Sequence, residues 1–263
     1  MNFFSGRFTR LSFFLGLLGF LAGCGSATKK APPLQLAPPV DSATAAQITG
    51  TVTFKGNPPH FRPIDMSGSS ACVKANASPV VPPVVVTGAH NALANVVVFV
   101  KSGLVRYRYP APQTPVTLDQ KGCMYAPHVV ALMVGQPFQI ANSDPTMHDI
   151  HPILRNNAPF SLSELPGRPA VKTVFQYPEF GASVGCMIHP WMQAYLFVFD
   201  QPYFAVTTTD GTFALNNLPP GTYTIEAWHE PNQTIDRTVV LGPKDSKTIS
   251  FTFHAVTSSG QGG

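Results

Sequence analysis

Apolar and polar positions fall into three regimes along the chain. The first is an uninterrupted apolar run at 11–21, preceded by Arg7 and Arg10. It is too short to span a bilayer comfortably and has the charged flank and apolar core of a secretory signal. In the second, 25–47, Lys29-Lys30, Pro32-Pro33 and Pro38-Pro39 interrupt any apolar period, which predicts a semi-extended tether. The third begins at Ile48, where Ile48, Gly50, Val52 and Phe54 alternate with Thr49, Thr51 and Thr53, the period of a half-buried strand. Continuous apolar runs at 96–100 and 194–199 suit strands buried on both faces, and shorter runs at 129–134 and 138–141 end in the turn residues Gly135 and Asn142-Ser143-Asp144-Pro145. Towards the C-terminus, short strand patterns at 204–207 and 213–215 and alternation at Tyr223, Ile225, Ala227 and Ile249, Phe251, Phe253 are separated by Asp210-Gly211 and Pro219-Pro220-Gly221. No helical period follows the signal, so the predicted class is all-β.

Composition sharpens this only at two points. With 44% hydrophobic and 11% charged residues the chain is too apolar to be disordered, and 27 Pro and 21 Gly fit short strands punctuated by turns. Arg7, Arg10, Lys29 and Lys30 account for the whole net charge of +4, leaving 13 basic against 13 acidic residues beyond them. The folded part is formally neutral, with no basic cluster for phosphates, which argues against nucleic acid as a partner.

The signal ends in Leu21-Ala22-Gly23-Cys24, which resembles the bacterial lipobox. That resemblance implies export, cleavage after residue 23, lipidation of Cys24 and anchoring in the cell envelope. Gly25, rather than Asp, after the cysteine favours the outer membrane or the periplasmic face.

The chemistry lies in Gly185-Cys186-Met187-Ile188-His189-Pro190-Trp191-Met192, where a thiol, an imidazole and a thioether recur at three-residue spacing directly before a buried strand. A thiolate with two imidazoles and a weak axial thioether suits copper cycling between two oxidation states, because soft sulfur favours Cu(I) and imidazole serves Cu(II). The missing imidazole follows an upstream strand and its Asn-containing turn: Asn142, then His148 and Asp149. In this order and context the stretch 125–200 resembles the cupredoxin family, blue-copper electron carriers of the plastocyanin and amicyanin type. The resemblance implies a Greek-key β-sandwich holding one copper ion through His148, Cys186, His189 and Met192. It further implies Asn142 and Asp149 behind the ligands, His189 as electron exit, and docking of redox partners such as a c-type cytochrome or an oxidase around Pro190 and Trp191. The family usually has Asn after the first histidine; Asp149 leaves the tie between the ligand loops open and would put a carboxylate beside the metal. His151 competes as first ligand, but three residues along a strand places it on the opposite face from His148. Zinc, or a site without metal, remains the competing outcome, since each of these residues alone is an ordinary core residue.

Cys72 and Cys123 are left over in an oxidising compartment and read as a disulfide; a second metal site built on Cys123 and His128 is the alternative. Residues 203–254, with Thr209-Asp210-Gly211-Thr212-Phe213 and Leu218-Pro219-Pro220-Gly221-Thr222-Tyr223, resemble the second half of a carboxypeptidase-regulatory or transthyretin-like sandwich, and the strand from Ile48 resembles its opening. The expected organisation is therefore a signal at 1–23, a lipidated tether at 24–47, an Ig/transthyretin-like sandwich from 48–108 and 201–255, a cupredoxin-like unit at 109–200 between them, and a disordered tail at 256–263. Similar modules bind carbohydrate, so a glycan is an alternative partner, with Trp228-His229-Glu230 as either a stacking platform or core. Copper storage or delivery would use the same ligands as electron transfer. No Ser/His/Asp elbow and no Cys-x-x-Cys-His haem motif are present, and no enzyme activity is expected.

Overall fold

A computed structural model describes residues 34–255; the signal, Cys24 and the tail at 256–263 lie outside the described residues. Among the described residues, regular structure is almost entirely β. Its elements are β1 (Ala46–Lys55), a one-turn helix α1 (Ser70–Ala75), β2 (Val97–Ser102), β3 (Val116–Gln120), β4 (Tyr125–Ala126), β5 (Val129–Met133), β6 (Pro137–Asn142) and β7 (His148–Pro152). There follow β8 (Leu162–Glu164), β9 (Val171–Val174), β10 (Glu179–Cys186), β11 (Gln193–Phe199), β12 (Phe204–Val206), β13 (Thr212–Leu218), β14 (Gly221–His229), β15 (Gln233–Leu241) and β16 (Ser246–His254). The helix went unpredicted because six residues are too few to show a period.

Two pairs of sheets result. The sheets β13-β1-β16 and β12-β2-β14-β15 share one apolar core, to which Ile48, Val52, Val98, Leu215, Ile225, Phe251 and their neighbours contribute. The sheets β5-β11-β10-β7-β8 and β4-β3-β6-β9 share a second, filled by Leu118, Leu132, Phe138, Ile150, Val184 and Leu196. A third cluster, Val97, Phe99, Val129, Phe197, Phe199 and Trp228, joins the outer face of the β2–β14 sheet to that of the β5–β11 sheet.

This stacking explains the two continuous apolar runs. In β2, Val98 and Val100 face the first core while Val97 and Phe99 face the third cluster. In β11, Ala194, Leu196 and Val198 face the second core while Phe197 and Phe199 face the third cluster. Each strand is apolar on both faces because each face is covered. β1 runs parallel to β16, and at its centre Gly50 lies opposite Ile249. A Cβ there would sit 1.9 Å from Ile249 O, so only glycine fits.

The structure bears on two further expectations. The described part of the tether is not free: Ala37 N–H donates to Arg108 O and Arg108 N–H to Gln35 O, so Leu36 and Arg108 form a β-bridge. Of the two readings of Trp228-His229-Glu230, the core one holds and the surface platform does not. All three are buried, Trp228 in the third cluster and His229 against Phe253, leaving no face for a sugar to stack on.

Candidate metal centre

Three of the four expected ligands, His148, Cys186 and His189, converge at one end of the second sandwich. His148 opens β7 and Cys186 closes β10, adjacent antiparallel strands in which Cys186 lies opposite Ile150. His189 and Met192 sit on the loop from β10 to β11, where Met192 N–H donates to His189 O at 3.0 Å and tightens the turn. One ligand atom each from His148, Cys186 and His189 lie within 4.8 Å of one another. His148 Nδ1 is 3.0 Å from His189 Nδ1, and His189 Nδ1 is 3.9 Å from Cys186 Sγ. Donors bound at about 2.0 Å for nitrogen and about 2.3 Å for sulfur stand at most about 4 Å apart, so these spacings fit a single ion. All three residues are buried, as is Met192 in the same core.

The backbone prepares the sulfur for a thiolate. Asp149 N–H and His189 N–H both point at Cys186 Sγ at 3.4 Å. Burial raises the Cys186 pKa, but the bonds from His148 and these amides outweigh it, and the net shift is downward. Met187 N–H also donates to Asp149 O, so the tie between the ligand loops runs through the Asp149 backbone. The Asp149 carboxylate instead accepts from Ser161 and Ser163 hydroxyls.

The residue that sequence reasoning missed is Asp144. Buried beneath the site, its carboxylate accepts from His148 Nε2 at 2.9 Å and from Gly122 N–H and Cys123 N–H at 2.6 and 2.7 Å. With Nε2 holding its proton towards Asp144, Nδ1 of His148 is the nitrogen turned to Cys186 and His189. This is the carboxylate–histidine arrangement that orients metal ligands. Burial lowers the His148 pKa, but bonding to Asp144 and Cys186 prevails and raises it to about 9, while burial and the neighbouring His148 push His189 down. The only sequence trace of Asp144 was its place in the Asn142–Pro145 turn. Asn142 shapes that turn: its Oδ1 accepts from Asp144 N–H and its Nδ2 donates to Thr146 O and Glu164 O.

The remaining candidates separate cleanly. His151 lies on the outward face of β7, half-buried, away from the donors. Cys72 and Cys123 form a disulfide, and His128 is held elsewhere, 2.6 Å from Glu230 and 3.1 Å from Gln193 O, so the alternative Cys123–His128 metal site does not form. His189 is not at the surface as expected of an electron exit. Only 3% of it is exposed, and its Nε2 faces Cys72 Sγ at 3.5 Å. Pro190 is exposed and Trp191 half-buried, its ring 5.1 Å from that of His189.

No family model and no curated protein matches this chain. Among solved structures it is similar to a copper-containing nitrite reductase from Thermus scotoductus SA-01, at 22% identity and a TM-score of 0.31 over 38% of this chain and 26% of that one. It is also similar to a purple cupredoxin from Nitrosopumilus maritimus, at 21% identity and a TM-score of 0.27 over 32% of this chain and 98% of that one. A reduced amicyanin variant matches at 15% identity and a TM-score of 0.29, over 39% of this chain and 98% of that one.

Proposed function

We propose that this is a copper-binding, one-electron transfer protein of the cupredoxin type, holding one ion through His148, Cys186, His189 and Met192. The observation that carries this is the meeting of Cys186 Sγ with two imidazole Nδ1 atoms in a buried site. Copper bound there would supply a one-electron couple, since the donor set is acceptable to both oxidation states. The chain's own part is to fix His148 through Asp144, to direct two amides at the sulfur, and to exclude water by burying every donor. Four donors leave the ion no place for a substrate, so the protein is proposed to carry electrons without catalysing a reaction. Burial of the donors also favours retention of the ion over storage or delivery. Electrons would pass at the face of Pro190, with Met187 and Ile188 exposed beside it, to a partner such as a c-type cytochrome or an oxidase. A lipid on Cys24 would hold the protein in the cell envelope.

The test is the visible spectrum of the Cu(II)-loaded protein beside a Cys186→Ala variant. An intense band near about 600 nm, lost in the variant, is the expected result for a thiolate–imidazole copper site. A colourless wild-type protein without stoichiometric copper would refute it.

A further inference from the structure

The turn Lys121-Gly122-Cys123-Met124 touches both histidines from behind. On one side its Gly122 and Cys123 amides hold the Asp144 carboxylate, which in turn holds His148 Nε2. On the other, Cys123 O accepts from Trp191 Nε1 at 3.0 Å, and the Trp191 ring lies against His189. The disulfide makes a third contact, placing Cys72 Sγ 3.5 Å from His189 Nε2.

The turn does not hold this shape for nothing. Gly122 and Cys123 have φ of 66° and 54°, and a cysteine in the left-handed region must be restrained by its surroundings. Two restraints are present: the S–S bond to Cys72, and Asn76 Nδ2, which donates at 2.9 Å to Gly122 O and at 2.9 Å to Cys72 O. Both come from α1 and the residue that ends it, which belong to neither sheet of the second sandwich.

We propose that the Cys72–Cys123 bridge is a positioning element for both histidines, so that its reduction by a dithiol opens the metal centre while the sandwiches stay folded. This rests on the metal site proposed above. In the step, one S–S bond breaks and two S–H bonds form; the dithiol supplies two electrons and two protons and closes to its own disulfide. The turn then keeps only hydrogen bonds, and Asp144 and Trp191 lose a fixed anchor together.

The test uses the full chain with two changes made separately, Cys72→Ala/Cys123→Ala and Asn76→Ala, the latter leaving the bridge intact. Three quantities are read: the rate at which EDTA strips Cu(II), the His148 Nε2–H proton in the metal-free protein as a slowly exchanging NMR resonance, and the melting temperature. We expect the double variant to lose copper about tenfold faster or more, Asn76→Ala to lose it faster by a smaller factor, and the His148 proton to exchange rapidly in both. Stripping at the wild-type rate with an unchanged His148 resonance, beside a lowered melting temperature, would make the bridge a staple and overturn the proposal. If the double variant fails to fold, Asn76→Ala decides by the same readouts. If the wild-type protein takes up no copper, the proposed function fails, and the His148 resonance alone still decides whether the bridge positions it.

Discussion

Replacing Asp144 by Asn preserves shape while removing one acceptor and the charge. The carboxylate serves three donors, Gly122 N–H, Cys123 N–H and His148 Nε2, at 2.6, 2.7 and 2.9 Å. An amide has a single acceptor oxygen, so its NH2 group must face at least one of these donors. Losing a hydrogen bond to a buried charge costs about 1.5–3 kcal/mol, so the metal-free variant should be less stable by about 2 kcal/mol. His148 Nε2, which shares Oδ2 with Cys123 N–H, would be held by a neutral amide oxygen in place of a carboxylate and would turn its Nδ1 less firmly to the metal. Loss of such a partner typically weakens metal binding about 10–100-fold, or about 1.4–2.8 kcal/mol. Urea denaturation of the metal-free protein measures the first quantity, and titration of Cu(II) against a competing chelator measures the second. If stability falls but copper affinity stays within about threefold of wild type, Asp144 is a structural acceptor for the Gly122–Cys123 turn and its role in orienting His148 is wrong.

Three further outcomes follow from the packing and charge. Buried Glu179 accepts from the Arg155, Asn156 and Asn157 amides, and these bonds outweigh burial to lower its pKa. A carboxylate with a depressed folded pKa stabilises above its unfolded value of 4.5 and loses that contribution as pH falls through the lowered one. Glu179→Gln should therefore cost about 2 kcal/mol at neutral pH and flatten the acid limb of a stability–pH curve; an unchanged acid limb would contradict this. His128 and Glu230, both buried and 2.6 Å apart, link the start of β5 to the end of β14. Glu230→Ala should lower stability by about 3 kcal/mol and the double change to alanine by less than the sum of the two, checked by a double-mutant cycle. Gly50→Ala, which drives a methyl onto Ile249 O, should cost about 4 kcal/mol or more or prevent folding, as seen in soluble yield and circular dichroism.

Much of the site was legible because its chemistry is local. Cys186, His189 and Met192 stand three residues apart, so one short stretch carries all three whatever surrounds it, and the period of β7 alone separated His148 from His151. Strand runs were legible for the same reason, since alternation is a property of neighbouring residues. Asp144 was not, because a turn aspartate becomes a histidine's partner only when Gly122 and Cys123 are folded beneath it. The docking of Leu36 beside Arg108 likewise depends on a pairing of residues far apart in the chain.

By itself, the sequence determined the all-β class, the candidate donor types and their order, the cysteine pair left for a bridge, and which runs were apolar enough to be buried. Only the tertiary structure decided what covers what: that 96–100 and 194–199 meet across a shared cluster, that Trp228 fills it instead of facing solvent, and that Cys72 seals the outer nitrogen of His189. The physical reason is that residue type and spacing set which groups must be buried or bonded, whereas the partner each finds depends on long-range strand pairing, which no local period encodes.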